Sequence, residues 1–159
     1  MAISTFPAAG GGAAKIRKAE NFSSSGSWTA PAGVTEVLVG MIAGGGAGGG
    51  EPNTGANGSN TSFGTLAVNG STGGRPAQSS LQESGKSGAV NTGQGGSGAG
   101  AFLEYNSSGA GQGGSMQWQG LSVTPGNSYT VTIGAGGAQT DNAGNGGSGF
   151  LVVTYEVDA

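Results

Sequence analysis

The sequence predicts an all-β protein, a jelly-roll-like β-sandwich that carries long glycine-rich loops. Three observations predict it. The stretch "GFLVVTYEV" puts Leu151, Val153, Tyr155 and Val157 on one parity, the alternation of a half-buried strand. "LSVTPGNSYTVTIG" sets two alternating runs about a Thr-Pro-Gly-Asn turn, which reads as a hairpin. No stretch carries the 3.6-residue repeat of a helix of ordinary length.

Residues 1–20 read as an N-terminal arm and 21–159 as the sandwich domain; on the arm, Lys15, Arg17 and Lys18 are either simply solvated or, with Phe6, the contacts that dock it onto a partner. "FPAAGGGAA" has no periodicity, and "AAKIRKAE" would form at most a turn or two of helix, marginal in isolation. "SWTAP" is a short strand with Trp28 in the core, ended at Pro31 by the loss of a ladder donor. "PAGV" then turns the chain. "VTEVLVGMIA" is aliphatic on both parities, as expected of a central strand covered on both faces, a pattern that periodicity alone does not separate from a short helix. "TSFGTLAV" is a weaker strand.

"AFLEYNSSG" reads equally as a short core strand or as a loop tip, and in the second case Phe102, Glu104, Tyr105 and Asn106 are candidate ligand contacts. In the hairpin, Leu121 and Val123 precede the turn, and Tyr129, Val131 and Ile133 follow it. Trp118 lies on the opposite parity from Leu121 and Val123. A bulge at Gly120 would return it to the core. Without one, it sits on a second face, open to a ligand or another subunit.

Glycine is the extreme of the composition, 38 of 159 residues, where about 7% is usual. It concentrates between the strands, at roughly 44–50, 93–100, 109–114 and 134–149. Fixing each backbone residue costs roughly 1–2 kcal/mol, so ordering "GMIAGGGAGGG" costs on the order of 10 kcal/mol with few side chains to offset it. Two readings follow. The segments are flexible loops, or they are extended helices of three residues per turn, polyglycine II helices, whose backbone groups pair with neighbouring segments. Spacings of three recur at Gly45–Gly48, Gly95–Gly98, Gly111–Gly114, Gly144–Gly147 and Gly146–Gly149. They permit the bundle without requiring it.

Charge excludes several functions. Five basic residues and a net charge of −3 are too little for a nucleic-acid footprint. No run approaches the roughly 18 apolar residues of a membrane span. The start "MAISTFPAAGGGAAKIRK" puts its charge after the mildly apolar part, so no secretory signal is expected. With no cysteine, no disulfide framework or thiolate site is available.

The chemistry points away from catalysis. The chain has no His and no Cys, so the commonest general base and two nucleophile schemes are missing. Its eight carboxylates are scattered. "ESGKSG" contains "GKS" but lacks the first glycine and the helix of a phosphate loop. "TDNAGNGG" has a single carboxylate, Asp141, and reads as turn chemistry rather than a calcium loop. Asp141 stays a candidate ligand contact, as does Trp118. No enzyme activity, cofactor or metal is expected.

"SWTAPAGVTEVLVGMIAGGGAGGG" and "LSVTPGNSYTVTIGAGGAQTDNAGNGGSGFLVVTY" resemble the opening and closing parts of the glycine-rich domain of bacteriophage tail-fibre and receptor-binding proteins. "SNTSFGTLAV" is similar to a middle strand of that domain, and the likeness runs over roughly 22–157. The resemblance implies a non-enzymatic adhesin on a virion, made in the host cytoplasm and binding host saccharide or an outer-membrane protein. It also implies attachment to other virion subunits through the arm, and a homotrimer. The runner-up is a structural capsid or tail decoration protein, a head fibre anchored by the same arm.

Overall fold

The computed structural model describes residues 14–50, 52–76, 82–83, 87–94, 100–101, 110–140 and 142–159. Its strands are β1 (Lys15–Phe22), β2 (Gly26–Thr29), β3 (Glu36–Ile42), β4 (Thr61–Phe63), β5 (Leu66–Val68), β6 (Gln82–Glu83), β7 (Gly100–Ala101), β8 (Met116–Ser122), β9 (Ser128–Thr132) and β10 (Phe150–Asp158). The described residues include no helix.

Two four-stranded antiparallel sheets stack, with orders β1-β10-β3-β8 and β2-β9-β4-β5, and β6 pairs separately with β7. In the sandwich, strands pair from the outside of the chain inwards: β1 with β10, β2 with β9, β3 with β8 and β4 with β5. This is a long antiparallel ribbon rolled upon itself, the jelly-roll arrangement. Alternation fills the space between the sheets. Val37, Val39 and Met41 of β3 and Leu151, Val153 and Tyr155 of β10 meet Trp28, Phe63, Leu66, Val68 and Val131 from the other sheet. Trp28, as expected, is core, its ring centroid 5.7 Å from that of Phe63 and 5.6 Å from that of Tyr155.

Four expectations change. Lys15–Glu20, read from the sequence as part of an arm, belong with Asn21 and Phe22 to β1, which stands in full register with Asp158–Leu151. Its order comes from pairing with β10, which leaves no apolar pattern in β1 itself. "LSVTPGNSYTVTIG" is not a hairpin: β8 pairs with β3 in one sheet and β9 with β2 and β4 in the other. The Thr124–Asn127 turn, with Gly126 at φ 81°, carries the chain across the core. "TSFGTLAV" is two strands, folded at Gly64, φ 55°. Finally, β3 is central but covered fully on one face only, since Leu38 remains exposed.

The strand ends at Ile42, Thr61, Val68, Met116, Thr132 and Phe150 all lie at one end of the sandwich, and the glycine segments leave or enter there. Residues 43–50 are buried throughout. Their amides reach three neighbours in rotation. Ala43 and Gly46 donate to Ser115 and Gln112, Gly44 and Ala47 to Ser59 and Ala56, and Gly45 and Gly48 to Gly147 and Gly144. Donors three residues apart thus meet the same segment, the repeat that an extended helix of three residues per turn gives. Their carbonyls accept from two more, Gly44 and Ala47 from Ser71 and Gly74, and Gly45 from Gly137.

The outer segments also bond to one another. Around 43–50 lie, in order, 110–115, 69–76, 53–60, 133–140, 142–149 and 87–94, each hydrogen-bonded to the next through backbone pairs such as Gln112–Thr72, Gly58–Ser71, Ser59–Ala135, Gly146–Gly137, Gly93–Ser148 and Gly114–Gly93. One segment sits inside six. A Cβ on Gly46 would fall on the Thr72 carbonyl, and one on Gly49 on that of Arg75. Glycine here is required by the approach of neighbouring backbone. The peptide groups that burial would leave unpaired, at about 1–3 kcal/mol each, are paired with each other.

Candidate functional site

On β8 the residues alternate between the two faces of its sheet. Gln117, Gln119 and Leu121 pair with Met41, Val39 and Val37, while Met116, Trp118 and Gly120 pair with Ile42, Gly40 and Leu38. The register is unbroken, so no bulge returns Trp118 to the core. It stands on the outer face with 55% of its surface exposed, beside Met116 and Leu38, themselves exposed. Gly40 explains its posture. The indole lies against that residue's bare Cα, and Gly40 is buried beneath it. A lone glycine in "EVLVGMI" marks a close approach, and this signal was legible in the sequence.

A groove of about 470 Å³ continues along the same outer face, away from the glycine segments, lined by Leu38, Gly120, Thr154, Glu36, Glu156, Arg17 and Lys15 among others. Its floor is β3, β8 and β10. Gly120 carries nothing within 4 Å of where a Cβ would stand, so the groove is open towards Trp118. The outer face therefore combines a half-exposed aromatic plate with an adjoining rim of carboxylates and cationic groups.

Lys15 and Arg17 stand on β1 at this rim. They face Asp158 and Glu156 across the β1–β10 register, and pair with them at 2.5 and 3.3 Å. Both pairs are exposed, so each contributes little to stability. Lys18 has the opposite parity and sits across from Tyr155, so "KIRK" is divided between two faces of one strand. Phe6, Phe102, Glu104, Tyr105, Asn106 and Asp141 lie outside the described residues.

One polar cluster was missed from the sequence. Glu20 Oε1 accepts from Tyr155 Oη at 2.5 Å and from Trp28 Nε1 at 3.1 Å. That hydrogen bond to Glu20, followed by burial and the charge of Glu20, pushes the Tyr155 hydroxyl up to about 12. The cluster ties β1 to the core. Among the described residues, no group of His, Cys, Asp and Glu is placed to hold a metal ion, and no helix is long and apolar enough to cross a membrane.

No protein-family profile matches the chain, and a search of curated proteins finds no similar one.

Proposed function

We propose that the protein is a non-enzymatic adhesin of a bacteriophage virion surface, a tail-fibre or receptor-binding component that contacts host saccharide. The observation that carries the binding part is Trp118. An indole held flat over Gly40, half-exposed, offers an apolar plate to the C–H face of a pyranose ring. The adjoining Glu36, Thr154, Glu156 and Arg17 supply the few polar groups that orient such a ligand. The virion assignment rests on the resemblance of "SWTAPAGVTEVLVG" and "TPGNSYTVTIGAGG" to tail-fibre domains. The glycine segments suit it when taken as polyglycine II helices, because they form a stiff pillar on one end of the sandwich.

The decoration reading has one point in its favour. Lys15 and Asp158 lie at the end of the sandwich remote from the glycine segments, so attachment through the residues before β1 would turn the pillar outward. It predicts binding to virion subunits and no saccharide affinity.

The deciding experiment is a glycan array of bacterial surface polysaccharides probed with the purified protein, followed by titration of each hit with wild type and Trp118→Ala. Binding that weakens about tenfold in the variant supports the reading. No hit on the array, or hits indifferent to Trp118, would overturn it.

A further inference from the structure

The sandwich has four sheet edges, and they are not protected alike. A free edge presents unpaired N–H and C=O groups, and is commonly blunted by charge, proline, bulges or shortness. Edge strand β1 carries Lys15, Arg17, Lys18 and Glu20, while β2 has 4 residues and β5 has 3. By contrast, β8, "MQWQGLS", is 7 residues long, with no charge, no proline and no bulge. Among the described residues it pairs with β3 alone. It also carries the exposed Trp118 and Met116.

The direction of its free groups follows from its bonded side. The Ala43 amide donates to Ser115 and the Val123 amide to Thr35, so the odd residues 115 to 123 turn their backbone towards β3. In an antiparallel ladder the intervening residues turn theirs the other way. Met116, Trp118, Gly120 and Ser122 therefore offer N–H and C=O groups at the open edge.

We propose that β8 pairs antiparallel with β8 of a second copy of this chain, about a two-fold axis at Gln119, joining two four-stranded sheets into one of eight. In that register every outward residue meets another outward residue: Trp118 faces Gly120 of the second copy, and Met116 faces Ser122. Each indole thus has a bare neighbour across the seam, where the space above Gly120 is open. Gln119 meets its own counterpart at a non-hydrogen-bonded position, and no like charges oppose. The pairing is isologous and closes as a dimer, which excludes the three-fold association implied by the resemblance. It also sets two Trp118 plates on one continuous face.

The test uses the full chain, which has no native cysteine. Sedimentation velocity should give a dimer that Gln119→Lys converts to a folded monomer, because the two ammonium groups would face each other. Gln119→Cys should form an intermolecular disulfide about tenfold faster than Asn21→Cys on the opposite edge, since directly opposed residues at such a site have Cα atoms roughly 4.5 Å apart. A monomeric or trimeric wild type overturns the proposal. So does equal cross-linking of the two cysteine variants, or a dimer that survives Gln119→Lys. None of these readouts depends on a saccharide, so failure here is separate from failure of the adhesin reading.

Discussion

Trp118 is seated on Gly40: its Cη2, Cζ3 and Cε3 atoms stand 2.7, 2.8 and 2.9 Å from the point a Cβ on Gly40 would occupy. The glycine lets the ring lie down on β3. Any side chain there would lift it, because a whole indole cannot give way by small torsional changes. Gly40→Ala should therefore move Trp118 into water, shift tryptophan emission to the red, and lower stability by about 1–3 kcal/mol through overpacking. Fluorescence and urea denaturation together check this. Unchanged emission would contradict the seating.

The glycine segments give a sharper comparison. A Cβ on Gly46 meets the Thr72 carbonyl, whereas one on Gly26 meets nothing within 4 Å. The first obstacle is backbone, which cannot rotate aside. Gly46→Ala should cost about 3 kcal/mol, the upper end of overpacking. Gly26→Ala should leave stability unchanged or raise it by about 0.5 kcal/mol, by restricting the unfolded chain. Thermal denaturation of the two variants side by side reads the difference.

Amide exchange tests the same segments without mutation. Gly44, Gly45, Gly46, Ala47 and Gly48 each donate to a carbonyl of another segment. Their exchange is expected to be as slow as that of Val39 and Val153 in the core, and slower than at the exposed Ser24. Fast exchange across 44–48 would mean that the segments behave as tethers.

Tyr155 and Glu20 make stability depend on alkaline pH. The hydroxyl that donates to Glu20 holds its proton up to about 12, above the usual value near 10. In that window the folded chain binds a proton that the unfolded chain has released. Stability is therefore full below about pH 10 and falls as pH rises towards 12. Tyr155→Phe should flatten that fall, seen as melting temperature against pH. Glu20→Ala, which strips the acceptor from both Tyr155 and Trp28, should cost about 1–3 kcal/mol at neutral pH.

Much of the fold was legible because it is written locally. Alternation at Leu151, Val153 and Tyr155 gave β10 and its buried face, and Trp28 read as core. The glycine spacing of three at Gly45–Gly48 and Gly146–Gly149 proved to be a shared hydrogen-bonding face in both cases, towards Gly147 and Gly144 and towards Gly137 and Gly134. The outer face of the sheet was less legible. Trp118 alone does not reveal whether Gly120 bulges, and nothing near Arg17 in sequence announces Glu156 or Glu36.

By itself, the sequence determined the all-β class, the position of the central and closing strands, and a glycine content that demands either slack or close backbone packing. Each of these depends on propensity and periodicity over a few residues, which a short window contains. The tertiary structure alone decided that Lys15–Phe22 is a strand, that β8 and β9 part into different sheets, that six glycine-rich segments surround a seventh, and that Trp118 lies on Gly40. Those are choices of partner between residues far apart in the chain, and they are fixed by core packing and by the pairing of buried peptide groups between segments.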